Sequence, residues 1–309
     1  MTYCVAMSLN DGLVFLSDTR TNAGVDHIST TRKMAVFEEP GERVIVLLVS
    51  GNLAITQATL QVLTEPQDAG RPTLWNVPSM VEAARLVGEA VREVHRRDAE
   101  ALQSFGVEFN CSFLLGGQLR GQPTRLFQVY AAGNFIETSA LNPYFQIGEA
   151  KYGKPIIDRV LTPDTPLDEA AKCALISMDS TLRSNLSVGL PLDLLVYERD
   201  ALRVTRYATL DQSNEYFQMI HSTWGERLRQ VFSEIPEPVW MDVGDVPRRS
   251  RTGANVPLAQ LVPLVSRTPL DDHSGPARPA QTLAQAHPSH PGGPQDDPHE
   301  SDAHHVPPA

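Results

Sequence analysis

Four residues near the N-terminus have the types and spacing needed for a threonine nucleophile that carries its own base. Removal of Met1, usual before a residue as small as Thr, would leave a hydroxyl and a free α-amine together on Thr2. An unperturbed α-amine has a pKa of about 7.7–8.0, and a nearby cation would lower it. Lys33 is the candidate cation, Asp18 its carboxylate partner, and Gly51 a backbone N–H donor for the reacting carbonyl.

Each of these residues also has an ordinary structural interpretation. Thr2 could simply begin an edge strand, Asp18 could belong to a surface turn, and Lys33 could be one of many solvated lysines. Gly51 could be a common strand-to-helix turn. The functional hypothesis therefore depends on whether the secondary structure brings the four residues together.

The first fifty residues are expected to form strands that do so. Residues 3–9 and 12–18 are strand-like runs joined by Asn10-Asp11-Gly12, a hairpin signal that would return Asp18 to the side of Thr2. A polar loop over 19–27 leads to a third strand, 32–37, which carries Lys33. The fourth strand, 43–49, ends just before Gly51. We expect these four strands to form one sheet.

The following 180 or so residues alternate between helices and strands, as in a layered domain. Helices are expected at 53–63, 79–105 (Ser79 as N-cap), 150–161, 165–183 (Thr165 as N-cap, Pro166 at N1) and 214–232. A second antiparallel sheet is expected from 109–115, 124–131 and 134–138, and a hairpin from 192–198 and 202–207. The predicted fold is α+β, a four-layer αββα sandwich.

The chain divides by composition into residues 1–235 and a tail, 236–309. The tail contains 14 of the 24 prolines and six of the nine histidines, a composition that favours disorder over a packed core. Its short apolar patch, 256–265, could dock on a neighbouring molecule. Its histidines lack metal-ligand spacing, so neither a metal nor any other cofactor is expected.

Charge and cysteine content exclude several classes of function. The net charge of −11 disfavours nucleic acid and acidic membrane surfaces as partners. The first residues lack the basic and apolar regions of a signal peptide, so none is expected, and no apolar run is long enough to span a bilayer. Cys4, Cys111 and Cys173 are widely spaced among apolar residues, which indicates reduced core side chains in a cytoplasmic protein.

The strand order and the four residues resemble the N-terminal threonine hydrolases of the proteasome superfamily. More specifically, the chain resembles Anbu, the bacterial proteasome-related family that is kin to proteasome β subunits and to the HslV peptidase. The motifs that carry this resemblance are at 2–5, 17–28, 40–43, 50–54 and 177–187 (TYCV, SDTRTNAGVDHI, PGER, SGNLA and SMDSTLRSNLS). The resemblance covers residues 2 to about 235.

The resemblance implies a peptide or polypeptide substrate and a homo-oligomeric ring or open helical ring. It assigns Thr2 as nucleophile and base, Asp18 and Lys33 as charge partners, and Gly51 as oxyanion donor. Ser187 matches the serine that β subunits place near the threonine amine. With only Met1 before the threonine, maturation would need methionine aminopeptidase alone.

Two positions depart from the wider family pattern. Glu149 stands where β subunits commonly have a serine, and Ser184 where they commonly have an aspartate, so both are expected to alter the surroundings of the amine. The alternatives to a threonine-type peptidase are therefore acyl transfer to an amine and a catalytically weak ring scaffold. Anbu genes often neighbour ATP-grasp-like and transglutaminase-like genes, whose products are possible partners. Helical faces such as Val81 to Val94 are expected to form the subunit interfaces.

Overall fold

The computed structural model describes residues 1–23, 27–65 and 72–240. The chain separates into two units, Met1–Pro236 and Glu237–Ala309. Nearly all of the second unit, including the apolar patch 256–265, lies outside the described residues. Its expected disorder and docking therefore stay predictions.

The described residues contain twelve strands and five helices. The strands are β1 Tyr3–Leu9, β2 Gly12–Asp18, β3 Arg20–Ala23, β4 His27–Thr30, β5 Met34–Glu39, β6 Arg43–Gly51, β7 Cys111–Leu119, β8 Arg125–Val129, β9 Phe135–Glu137, β10 Tyr144–Gly148, β11 Leu192–Glu198 and β12 Arg206–Leu210. The helices are α1 Leu53–Thr64, α2 Met80–Ser104, α3 Lys154–Val160, α4 Leu167–Ser184 and α5 Glu215–Glu234.

Ten of these strands form two antiparallel five-stranded sheets. The first sheet has the order β10-β1-β2-β11-β12, and the second has the order β5-β6-β7-β8-β9. The expectation that the first four predicted strands form one sheet is wrong. Both edges of β2 are occupied, by β1 and by β11, so the chain crosses to the second sheet, where β5 pairs with β6.

The crossing between the sheets runs through a small hairpin, where the sequence predicts a polar loop. β3 and β4 pair with each other, Arg20 opposite Thr30, in a separate two-stranded sheet. The segment is polar and has no apolar alternation to signal a strand. The strand predicted at 32–37 is β5, Met34–Glu39, so Lys33 lies immediately before this strand and not on it.

The sheets pack face to face, and the helices cover their outer faces, so the predicted αββα sandwich is confirmed. Phe15 of the first sheet and Leu48 and Leu114 of the second belong to the apolar cluster between the sheets. A Cβ on Gly116 would lie 2.8 Å from the Phe15 ring, so packing between the sheets requires a glycine at this position. The Gly116-Gly117 pair therefore lies inside β7 and does not end it. Helices α1 and α2 pack on the second sheet, and α4 and α5 on the first.

The helix starts and ends agree with the sequence in most places. Asn52 and Ser79 cap α1 and α2 through their side chains. The expected cap of α4 is wrong by one residue: Thr165 instead accepts a hydrogen bond from Thr162 N, 2.9 Å, and Pro166 precedes the first helical residue. Helix α3 begins at Lys154, four residues later than expected, because residues 151–153 form a turn.

Packing adds one strand and corrects one expectation. Strand β10, which the sequence does not predict, pairs with β1 at the edge of the first sheet. The apolar stripe of α2 is not a subunit interface: Val87, Val91 and Val94 are fully buried against their own second sheet. In the described part of the chain, no helix is both long and apolar enough to cross a membrane.

Candidate active site

A buried ion pair joins the two sheets at the end where β1 begins and β2 ends. Lys33 Nζ lies 2.7 Å from Asp18 Oδ1, and the two side chains are 7% and 0% exposed. Lys33 Nζ also donates to the carbonyl of Arg20 at 2.6 Å. Burial raises the pKa of Asp18, while the Lys33 ammonium and the N–H groups of Tyr3 and Gly189 oppose that rise. Such a pair is stable only because each charge has its partner and hydrogen bonds.

Asp18 also connects the ion pair to the N-terminal strand. Its Oδ1 accepts the backbone N–H of Tyr3 at 3.1 Å, and its Oδ2 accepts the N–H of Gly189 at 3.3 Å. Asp18 therefore lies beside the residue that follows Thr2, as the hairpin register predicted. The carboxylate holds β1, Lys33 and the loop after α4 in one arrangement.

Thr2 lies in the wall of a cavity of about 470 Å³. Lys33, Gly51 and Thr21 line the same cavity. Thr2 is only 9% exposed, whereas Met1 before it is 67% exposed. The structure thus brings Thr2, Lys33 and Gly51 to one cavity, with Asp18 directly behind Lys33.

Two glycines with positive φ shape the cavity, one from each sheet. Gly51 has φ +110°, and a Cβ there would lie 2.4 Å from the carbonyl oxygen of Asn110. Gly148 has φ +81°, and a Cβ there would lie 1.9 Å from the carbonyl oxygen of Thr2. L side chains rarely adopt such backbone conformations. Only glycine lets these two backbones approach their neighbours so closely.

Glu149 follows Gly148 and lies directly against Thr2. Its N–H donates to the Thr2 carbonyl at 2.7 Å. Its buried side chain accepts from Asn185 Nδ2 at 2.8 Å and lies 3.3 Å from the Lys151 ammonium. Of the two departures from the family pattern, Glu149 is therefore in contact with the backbone of Thr2. Ser184 is exposed at the end of α4, and its side chain makes no hydrogen bond to any described residue.

The loop after α4 contacts the ion pair through Gly189 and also contains Ser187. Ser187 N donates to Asn185 Oδ1 at 2.9 Å, so Ser187 lies in this loop and is not among the residues that line the Thr2 cavity. Gly189, two residues later, makes the contact with Asp18. The predicted role of Ser187 beside the amine stays a prediction.

The amine next to this site is less basic than an ordinary α-amine. In the chain with Met1 present, burial and then the Lys33 ammonium lower the pKa of the Met1 α-amine below 8.0, while Asp18 and Glu149 act in the opposite direction. An amine in these surroundings is neutral over a wider pH range and can accept a proton.

Solved structures with the same architecture identify the family. Anbu (ancestral beta-subunit) from Yersinia bercovieri is 55% identical over 77% of this chain and all of its own, with a TM-score of 0.73. The chain belongs to the Anbu family. A Gly-1 mutant of Anbu from Hyphomicrobium sp. strain MC1 is 51% identical over 78% of this chain and 100% of its own, with a TM-score of 0.73. The helical assembly of the Anbu complex from Pseudomonas aeruginosa is 49% identical over 77% of this chain and 98% of its own, with a TM-score of 0.74.

No protein-family model matches the chain, and no curated protein matches it. The Anbu structures nevertheless cover most of the chain at close to full length of their own. The fold is therefore the proteasome-related N-terminal-nucleophile fold, which the resemblance in the sequence had implied.

Sequence reasoning missed three contributors to this Anbu site. The Arg20 carbonyl and the Gly189 N–H complete the shell of the ion pair, and both are backbone groups that no side-chain motif reveals. Gly148 had a signal, since glycine at the end of an edge strand often marks close backbone approach. That signal needed strand β10 to be recognised first.

Proposed function

We propose that the chain is a threonine-type peptidase or amidohydrolase with Thr2 as nucleophile. The observation that carries the proposal is the buried Lys33–Asp18 ion pair, whose lysine shares the cavity with Thr2. A buried pair of this kind costs desolvation free energy and is retained where a site needs a fixed charge. Removal of Met1 would place the free α-amine of Thr2 in the same surroundings.

The reaction would run through an acyl-enzyme. The α-amine takes the proton from Thr2 Oγ as the oxygen attacks the carbonyl carbon, forming a C–O bond. The C–N bond then breaks, and the same amine returns the proton to the leaving nitrogen. Water attacks the resulting ester with the amine as base, and this step releases the acid and regenerates the hydroxyl.

Lys33 and Gly51 would stabilise charge in these steps. The Lys33 ammonium lowers the pKa of the amine, which keeps it unprotonated near neutral pH. The N–H of Gly51 would donate to the oxyanion of the tetrahedral intermediate, and donors of this kind typically contribute 10²–10³-fold in rate. Asp18 touches no reacting atom and would act by holding Lys33.

Maturation would include removal of Met1, by methionine aminopeptidase in the cytoplasm. The high exposure of Met1 leaves it accessible to such an enzyme. The peptide bond to Thr2 is the one that must be cut, and Thr2 itself stays anchored by the Glu149 N–H. The site would therefore be assembled before maturation and become reactive after it.

We also infer that the chain forms a homo-oligomer, as a ring or open helical ring. The Pseudomonas aeruginosa relative is described as a helical assembly. In this chain the end of α5 exposes Leu228, Val231 and Phe232 at 50%, 55% and 77%, apolar surface of the kind that interfaces cover. A Phe232→Glu variant should sediment as smaller species, and unchanged sedimentation would place the interface elsewhere.

The decisive experiment combines intact mass spectrometry with a peptide epoxyketone, which reacts with a threonine only when hydroxyl and free α-amine are on one residue. The purified protein should lack Met1 and gain one probe per chain. Thr2→Ala should not be labelled, while Thr2→Ser should be. Retention of Met1, or equal labelling of Thr2→Ala, would contradict the proposal.

Acyl transfer to an amine is the alternative on the same site, since both reactions pass through the Thr2 ester. The observation that favours acyl transfer is the hydrogen bond from Asn185 to the buried Glu149 side chain beside Thr2. This bond fixes a carboxylate at a position where β subunits commonly have a serine. Added amines should then speed product formation and appear in the product. Rates that do not respond to amines would leave hydrolysis as the reaction.

A further inference from the structure

A second cavity, of about 380 Å³, lies between the end of α4, the loop 186–190 and the first half of α5. Its volume is in the range of small-molecule binding sites, which are mostly apolar with a few placed polar groups. The apolar side chains that line it are Leu182, Leu186, Val188, Leu190 and Phe217. The cavity could therefore bury the apolar body of a ligand.

The polar lining of this cavity includes two arginines, two glutamines (Gln212 and Gln218) and a histidine. Arg20 and Arg183 line it, and so does His221, whose Nδ1 lies 2.6 Å from the buried Asp179 carboxylate. Arg183 makes no hydrogen bond or ion pair with any residue that the structure describes. None of the described lining residues is acidic. Because the chain as a whole carries a net charge of −11, this local positive charge is a specific feature of the cavity.

We propose that this cavity is an effector site for a small amphipathic carboxylate, an apolar chain that ends in one carboxyl group. The guanidinium of Arg183 is free to form a charge-assisted hydrogen bond with that carboxylate. The apolar body would occupy the space between Leu182, Val188 and Phe217. A neutral or cationic ligand of the same length would leave Arg183 unpaired.

The walls of the cavity are also the groups that hold the ion pair of the candidate active site. Arg20 lines the cavity, and its backbone carbonyl accepts from Lys33 Nζ at 2.6 Å. Gly189 lines it too, and its N–H donates to Asp18 at 3.3 Å. A ligand that packs on these residues would fix both partners of the pair. We infer that occupancy orders the loop 186–190 and, resting on the proposed function, raises the reactivity of Thr2.

The Arg20 side chain makes this coupling tight. A Cβ on Gly189 would lie 2.1 Å from Arg20 Nε, so the guanidinium packs directly on the loop backbone. Arg20 Nη1 also donates to the carbonyl of Leu186 at 2.8 Å. Movement of the loop therefore moves Arg20, whose carbonyl accepts the hydrogen bond from Lys33.

Calorimetric titration of the full-length protein with octanoate tests the binding. Octanoate should bind, whereas octan-1-ol and octylamine should bind at least about tenfold more weakly, as expected when one charge-assisted hydrogen bond is lost. Arg183→Gln should weaken octanoate by a similar factor. Arg96→Gln, a matched change at an exposed arginine of α2, should leave octanoate affinity unchanged.

Three results would overturn the proposal. Octanoate could fail to bind, it could bind no better than the alcohol, or it could bind Arg183→Gln as well as the parent. A crystal soak that placed octanoate elsewhere would be equally decisive.

Coupling is measured by hydrogen exchange of the segment 186–190 without octanoate, at half-saturation of the parent and at saturation. Exchange should slow in the parent, and Arg183→Gln should show a smaller change at the concentration that half-saturates the parent. Unchanged exchange in the saturated parent would refute the coupling. Neither measurement requires a reaction at Thr2. A protein that binds octanoate but is not labelled at Thr2 would contradict the proposed function alone, while normal labelling without binding would contradict only the effector site.

Discussion

The two five-stranded sheets have the same antiparallel form but contribute different halves of the candidate site. The first sheet brings Thr2, at the start of β1, and Asp18, at the end of β2. The second sheet brings Lys33, just before β5, and Gly51, at the end of β6. Neither sheet holds both Thr2 and Lys33. The site therefore exists only when the sheets pack, and the Lys33–Asp18 ion pair is a buried polar contact between them.

Loss of the Lys33–Asp18 ion pair should have the largest effect on stability and on labelling of Thr2. Lys33→Met keeps most of the side-chain volume but leaves the Asp18 carboxylate buried without a cation, which typically costs about 3–5 kcal/mol. Labelling of Thr2 should be lost at the same time, because the amine loses the charge that lowers its pKa. Urea unfolding at fixed protein concentration measures the first effect, and epoxyketone labelling the second.

The pH dependence of this loss has a definite sign. Burial already raises the pKa of Asp18, and removal of Lys33 raises it further. A group whose pKa is higher in the folded than in the unfolded state stabilises the fold as it gains its proton. The penalty in Lys33→Met should therefore shrink as pH falls. Arg85→Met, which breaks an exposed pair with Glu82, should cost no more than about 1 kcal/mol at any pH.

Each sheet also offers one glycine at the cavity, and the first sheet's glycine should be the more sensitive. Gly148→Ala places a Cβ against the Thr2 carbonyl, so the backbone of the nucleophile must shift. We expect a loss near the upper end of the roughly 1–3 kcal/mol that strained backbone costs, together with weaker Thr2 labelling. Gly106→Ala is the matched control, since Gly106 has φ +70° and no neighbour within 4 Å.

Gly51→Ala tests the second sheet in the same way. The new Cβ would meet the Asn110 carbonyl, so β6 must turn its N–H away from the cavity. The expected stability loss is again roughly 1–3 kcal/mol, but Thr2 stays in place. Labelling should slow by about 10²–10³-fold if Gly51 is the oxyanion donor. Full labelling in a folded Gly51→Ala protein would remove Gly51 from that role.

The contrast between the sheets explains what the sequence could and could not predict. Local patterns were sufficient for the hairpin of β1 and β2, for the capped helices α1 and α2, and for the layered fold. The partner of each strand depends on packing, and so the predicted strand that carries Lys33 was placed in the wrong sheet. Backbone contributors such as the Arg20 carbonyl carry no residue-type signal, because any residue has a carbonyl.

The smallest expected effect concerns Glu149, whose N–H donates to the Thr2 carbonyl, whereas Lys33 lines the same cavity as Thr2 from the second sheet. Lys33 lowers the pKa of the Met1 α-amine and Glu149 raises it. We expect the same two signs for the Thr2 amine once Met1 is removed. Glu149→Gln keeps an acceptor for Asn185 but removes the charge, so the amine should lose its proton at lower pH.

The rising limb of the labelling rate against pH should therefore move to lower pH in Glu149→Gln, with stability changed by less than about 1 kcal/mol. Glu137→Gln, on the exposed pair with Arg125, should leave the profile where it is. A shift to higher pH would mean that Glu149 does not act on the amine by its charge. Equal profiles would reduce Glu149 to its backbone contact with Thr2, and the pKa of the amine would then be set by burial, Lys33 and Asp18.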